Sequence, residues 1–318
     1  MRTPAPTPPV TQFRLVIAIL GMIALPAAIA LHTAKVPPIE AANSLQTSSP
    51  HGYSWSLLLF VIPIVTIALW LVPQEGVSIS KKSFLRTLTV LVPMGIVLDF
   101  FFAASFLTFP NQGAVSGIHG PTLQGWVPIE EYIFYLTGFV AVLLIYIWLD
   151  EYWLAAYSVP SDSPFRATFD RLLSFHPKSL VWAAVLIAAA CLYKWKFSHE
   201  SGFPGYFTFL TLAALLPSAV LLPQALPVVN WRALSLALFM ILLTSLLWEA
   251  TLAMPYQWWG YNHHQMLGLY ITGWTNLPIE AVCVWITVTY TTAIVYEIIR
   301  RWQSSGRPAR HAFLGPSK

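Results

Sequence analysis

Two Pro-Ile-Glu triplets stand at the mouths of apolar runs. Pro128, Ile129 and Glu130 open "WVPIEEYIFYL" (126–136), and Pro278, Ile279 and Glu280 lie in "TNLPIEAVCVWI" (275–286). In each case a second acid lies 31 residues upstream, late in the preceding apolar run: Asp99 before Glu130, Glu249 before Glu280. A uniform shift of 150 residues maps Asp99 onto Glu249, Pro128 onto Pro278, Glu130 onto Glu280 and Thr137 onto Thr287. A lone Pro-Ile-Glu is a good helix start, because proline suits the first helical position and a carboxylate complements the helix dipole. Two copies, each with an intramembrane acid at matched distance, call for more than a helix start. Acids in apolar spans are costly and face a bundle interior or a cavity. Kept from water and without a basic partner, such a carboxyl can hold a proton at neutral pH and act as a general acid. Glu130, Glu131, Glu280, Asp99 and Glu249 are therefore the candidate catalytic residues. Which one carries the proton stays open; Glu130 and Glu280, at helix starts, are candidates for the conjugate bases or for hydrogen-bond partners of the deeper acids.

An alkene protonated in such a pocket becomes a carbocation. The faces of Trp, Tyr and Phe stabilise positive charge without offering a nucleophile. Tyr132, Phe134, Trp248 and Trp285, together with Phe100, Phe101 and Phe102, lie close enough to the acids in sequence to serve, although packing is the usual work of such side chains. The loops 109–127 and 255–276 contain no Asp, Glu, Lys or Arg but hold Trp126, Trp258, Trp259 and Trp274, with Tyr256, Tyr261 and Tyr270. They are expected to cap a cavity, form an aromatic belt at the headgroups, or both.

The elements that must position these groups follow from composition. Of 318 residues 57% are hydrophobic and 9% charged, against a charged fraction of roughly 25% in soluble domains. The expected fold is an all-α integral membrane protein with about eight transmembrane helices, near 13–32, 53–72, 84–108, 127–149, 179–195, 206–223, 232–254 and 277–299. Four spans per half predict two parallel four-helix repeats, related by an axis along the membrane normal. Residues 1–150 form the first repeat (core 53–149), 151–178 a cytoplasmic linker, 179–300 the second repeat (core 206–299) and 301–318 a basic cytoplasmic tail. Fourteen of seventeen Lys and Arg fall on one side of this topology, which puts both termini in the cytoplasm and the chain in a plasma membrane. An alternative treats the first span as a signal peptide cleaved after "AIA" at 28–30, leaving seven spans. Asp150, Glu151 and Glu297, at span ends, are expected to be solvated.

Cys191 and Cys283 read as small buried hydrophobes. The adjacent His263 and His264 do not face one ligand point easily and have no third histidine nearby, so no metal is expected. No dinucleotide fingerprint, Walker A, H-E-x-x-H or nucleophile elbow occurs. No cofactor and no nucleic acid are expected; the partners are a lipid-soluble substrate and membrane lipids.

The two motifs, "PIEEYIFYL" and "LPIEAVCVWITVTYTT" after "GLYITGWTN", resemble those of the membrane-embedded lycopene cyclases of the heterodimeric type and their fused single-chain relatives. The resemblance covers roughly 53–149 and 206–299. It implies cofactor-free cyclisation of the end groups of a linear carotenoid: protonation of a terminal double bond, ring closure through a carbocation, then loss of a proton. Pro128, Glu130 and Glu131 match the first motif, Pro278 and Glu280 the second. Other carotenoid-pathway enzymes are then possible partners. The chain departs from the pattern where Glu131 is answered by Ala281, which points to an asymmetric site, a changed ring or another isoprenoid substrate. The alternatives are a hydratase or isomerase of an isoprenoid, a proton-coupled transporter built on two halves, and a non-catalytic membrane assembly subunit.

Overall fold

A computed structural model describes residues 14, 17–18, 21, 49–71, 80–160 and 162–315. The span expected near 13–32, and with it the signal-peptide alternative, falls outside the described residues save for those isolated positions. The chain is an all-α integral membrane protein, with seven described helices long and apolar enough to cross a bilayer: α1 (Gly52–Leu69), α2 (Lys81–Phe106), α3 (Ile129–Trp153), α4 (Pro177–Phe197), α5 (Gly205–Ala225), α6 (Trp231–Ala253) and α7 (Ile279–Ser304).

Local chemistry sets where these helices begin and bend. The side chain of Ser80 caps α2 by accepting from Ser83 N, and Asn230 caps α6 by accepting from Ala233 N, which satisfies orphan amides of the first turn. Pro128 and Pro278 sit one residue earlier than a first helical position. Each closes a short strand with ψ of 146°, and the helix begins at the following isoleucine. The reason is that Ile129 N and Ile279 N donate back to Ile118 O and Leu269 O, both at 2.9 Å. Prolines inside α1 (Pro63) and α5 (Pro217) lie close to π-helical turns at Ile67–Leu71 and Thr211–Leu215. Two further π turns, Leu149–Trp153 in α3 and Glu249–Ala253 in α6, contain no proline and coincide with acidic residues.

α7 is the central helix, packed against α2, α3, α5 and α6, while α1 leans on α3 and α4 on α5. Their outer faces carry exposed apolar side chains such as Leu59, Trp55, Trp182 and Val181, as lipid contact requires. At one end the two inter-helix loops are tied by small antiparallel pairs: β1 (Leu107–Thr108) with β4 (Gly260–Tyr261), β2 (His119–Thr122) with β3 (Gly125–Pro128), and β5 (Tyr270–Ile271) with β6 (Leu277–Pro278). The β1–β4 pair joins the two halves of the chain.

The opposite end corrects one expectation. Asp150 and Glu297 are buried, not solvated, and Glu151 is partly covered. Arg300 donates to Asp150 at 2.9 Å, to Glu297 at 3.0 Å and to Glu151 at 2.5 Å, while Arg166 and the Tyr146 hydroxyl also reach Glu297. Several charges in one hydrogen-bonded cluster can be buried where a single one could not. The segment 151–178 and the C-terminal residues join this end: Leu172 N donates to Ala312 O and Arg307 to Phe169 O.

Candidate active site

The two loops at the β-paired end make the same contacts twice. Asn111 donates from its backbone to Gln257 O and from its side chain to Tyr256 O; Asn262 donates likewise to Phe106 O and Ser105 O. Each asparagine thus holds the other half's chain where it leaves its helix. Six residues after each asparagine comes a glycine in the left-handed region, Gly117 (φ 83°) and Gly268 (φ 85°), a conformation that glycine adopts freely. The residue before each glycine turns its amide toward a carboxylate: Ser116 N to Glu130 Oε1 at 2.6 Å, Leu267 N to Glu280 Oε1 at 2.5 Å. Glu130 also accepts from the Ser54 hydroxyl. Lys194, buried in the last turn of α4, donates to His264 O and Met266 O and holds the second loop from outside. Glu130 and Glu280 therefore fasten loops to helix starts.

The adjacent acid does something else. Glu131 is one residue on from Glu130, a rotation of about 100° round the helix, and it points into a cavity with about 530 Å³ of empty space. Glu249 faces the same cavity from the π turn of α6. Tyr53, from α1, donates to Glu131 Oε2 at 3.1 Å. Both oxygens of Glu249 are occupied, by the Tyr261 hydroxyl at 2.6 Å and by Trp285 Nε1 at 2.9 Å. Burial, and next the charge of Glu249, push the Tyr261 phenol well above its ordinary pKa, so it stays a donor. Among the described residues, no Lys or Arg lines this cavity.

Its remaining walls are largely aromatic. Trp259 lies 4.9 Å from both Tyr53 and Trp248, and Phe134 lies 5.4 Å from Trp248 and from Trp285, edge-on to the latter. Gly138 lies beside the Trp285 ring, and a Cβ there would be in ordinary contact with it at 3.6 Å.

Two further cavities abut this one. One, about 680 Å³, runs between α1, α3 and α6 and shares Phe134, Gly138 and Trp285 with the centre. The other, about 590 Å³, runs between α2, α3, α5 and α7 and shares Tyr135, Tyr206, Val284 and Val288. Their linings correspond. Leu91, Met94, Gly95 and Leu98 of the second arm stand 150 residues before Ile241, Thr244, Ser245 and Trp248 of the first. Val284, Thr287, Val288 and Thr291 of the second stand 150 after Phe134, Thr137, Gly138 and Ala141 of the first. Asp99 faces the second arm, not the centre.

Among the residues singled out by type and spacing, Glu131, Glu249, Phe134, Trp259, Tyr261 and Trp285 line the central cavity, and Trp248 the first arm. Glu130, Glu280, Pro128 and Pro278 belong to the loop anchors. Trp126, Tyr132, Trp258 and Trp274 lie outside the walls of these three cavities, each held elsewhere. Trp126 is half exposed against His119, and Tyr132 donates to Pro121 O. Trp258 donates to Ser49, and Trp274 sits in the turn before β6. His263 contacts the Tyr270 hydroxyl and His264 the Ser201 hydroxyl. Sequence reasoning passed over Tyr53 and Tyr206, whose signal is their matching position in α1 and α5, 153 residues apart. It also passed over the pairs Asn111/Asn262 and Gly117/Gly268, each 151 apart. No protein-family model matches the chain, and neither does any curated protein or solved structure.

Proposed function

We propose that the chain catalyses an acid-initiated, non-redox cyclisation of the end group of a linear carotenoid, such as lycopene, or of a closely related isoprenoid, within the membrane. The observation that carries this is Glu131 and Glu249 facing one cavity with aromatic walls and no basic side chain among the described residues that line it. In the proposed sequence Glu131 delivers a proton to a terminal double bond and leaves a tertiary carbocation. The neighbouring double bond attacks that carbon, closing the ring and moving the charge to a ring carbon. Glu249, held as an acceptor by Tyr261 and Trp285, removes an adjacent proton and a new double bond forms. Atoms balance as an isomerisation, and the proton passes back to Glu131 between turnovers. The rings of Phe134, Trp259 and Trp285 stabilise the cation. Closure of the cavity by the loops keeps out water that would quench it.

Glu130 and Glu280 act in this scheme as positioning residues, through the loops they hold. The matched loop contacts and arm linings support two parallel four-helix repeats, the first completed by the span expected near 13–32. On the same reading the termini are cytoplasmic in a plasma membrane, and the substrate enters sideways from the lipid. A proton-coupled transporter is less well supported, because acids at the opposite end are paired with Arg166 and Arg300.

The test is to express the chain in cells that accumulate lycopene and to separate the extracted pigments. A product of unchanged mass with blue-shifted, less structured absorption is expected. A gain of one water would mark a hydratase instead, and unchanged lycopene with the protein in the membrane would contradict lycopene as a sufficient substrate.

A further inference from the structure

The two arms match in position, and each holds a buried polar atom without a hydrogen-bond partner, but only the second has a carboxyl: Trp248 Nε1 in the first, Asp99 Oδ2 and the Thr291 hydroxyl in the second. In the arm between α1, α3 and α6, position 141 is alanine and the Thr137 hydroxyl is satisfied by Ile133 O. In the arm between α2, α3, α5 and α7, the position matching Ala141 is Thr291, whose hydroxyl oxygen is buried without a hydrogen-bond partner. Asp99, 6% exposed, likewise has a buried Oδ2 without a partner, whereas both oxygens of its counterpart Glu249 are bonded. A buried carboxyl oxygen left unpaired is costly, and a ligand that pairs with it gains correspondingly. The rest of this arm is apolar, with Leu91, Leu98, Phe209 and Ala213 among its walls.

We infer that the arm between α2, α3, α5 and α7 is a separate binding subsite for the hydroxyl-bearing end of an isoprenoid, with Asp99 and Thr291 as its hydrogen-bonding groups. The isoprenoid class rests on the proposed reaction; the hydroxyl rests on the unpaired groups alone. The arm is apolar enough for a branched hydrocarbon chain and offers two buried groups without partners, a carboxyl oxygen and a hydroxyl. An alcohol hydroxyl can pair with either, with the free oxygen of Asp99 or with the Thr291 hydroxyl. The other arm offers the indole N–H of Trp248 but no carboxyl. The protein would therefore distinguish the two ends of an unsymmetrical substrate, or take up alcohols that it does not cyclise.

The experiment is thermal unfolding of the full-length protein in detergent, titrated with geranylgeraniol and with the C20 hydrocarbon that lacks only the hydroxyl. The wild-type protein is expected to bind the alcohol at least about tenfold more tightly, the gain from pairing a buried polar group that is otherwise unsatisfied. Asp99→Leu and Thr291→Val should each reduce that preference while hydrocarbon binding persists, which also shows that the variants are folded. Ala213→Phe should block alcohol binding, and Ala141→Phe in the other arm should leave it. Equal affinities in the wild-type protein, an undiminished preference in Asp99→Leu, or loss of alcohol binding only in Ala141→Phe would overturn the subsite. Equal binding of oleyl alcohol, a straight chain, would overturn the isoprenoid class. Turnover is not read in this experiment, so a chain that prefers the alcohol yet leaves lycopene unchanged retains the subsite and loses the proposed reaction. The reverse result has the opposite meaning.

Discussion

The indole N–H of Trp285 and a carboxylate oxygen of Glu249 meet at 2.9 Å, although they come from different helices and lie 36 residues apart. The same indole forms part of the cavity wall. One side chain thus shapes the space for a cation and holds the group proposed to take its proton. Trp285→Phe separates these roles, because it keeps a ring and removes the donor. Turnover is expected to fall by about 10- to 100-fold, the loss of one hydrogen bond to a charged acceptor. KM should change little, and steady-state kinetics on reconstituted protein would check both.

Gly117 and Gly268 share a positive φ but not their surroundings. A Cβ at 117 meets nothing within 4 Å, whereas one at 268 would collide with the Ser198 hydroxyl. Gly117→Ala is expected to destabilise by about 1 kcal/mol through backbone strain alone. Gly268→Ala should destabilise by more and, by shifting Leu267 from Glu280, also slow turnover. Thermal unfolding in detergent would rank the two.

Some of this was legible in the sequence, and the rest was hidden for identifiable reasons. Membrane helices follow from composition, and the acids stand out because their 150-residue spacing is unbroken. Glu130 and Glu131 could not be told apart by type, since only the helical rotation between neighbours sends one to a loop and the other to the cavity. The asparagine and glycine pairs repeat at 151 residues, so a one-residue insertion removes them from the frame that finds the acids. Asp150 and Arg300 also stand 150 apart, but a search for identical residues passes over an acid answered by a base. Tyr53 meets Glu131 across 78 residues, a contact that no local pattern predicts.

Lys194 ties the second loop through two carbonyls and touches no cavity wall. Lys194→Met keeps most of the aliphatic stem and removes the donors. It is expected to lower stability by roughly 1–3 kcal/mol, the cost of leaving buried acceptors unpaired, and to slow turnover through the loop that holds Glu280. An unchanged melting temperature and rate would show that the loop holds its shape without it.

At the far end of the bundle, Arg300→Met would leave Asp150 and Glu151 without this cation and Glu297 with Arg166 and the Tyr146 hydroxyl. Removing one partner of a buried ionic cluster destabilises by about 3–5 kcal/mol. The expected signature is a large fall in melting temperature, with the product pattern of the surviving folded protein unchanged. A changed product pattern would mean that this end takes part in the reaction.

The central claim is that Glu131 delivers the proton. The most direct measurement compares lycopene conversion by wild-type protein, Glu131→Gln and Glu130→Gln in proteoliposomes, with folded protein quantified in each. The account predicts a loss of about 10²- to 10⁴-fold for Glu131→Gln, the usual worth of a general acid. A smaller loss is expected for Glu130→Gln, which retains an oxygen able to accept from Ser116 N. Full turnover by Glu131→Gln would contradict the account and move the donor to Glu249 or Asp99.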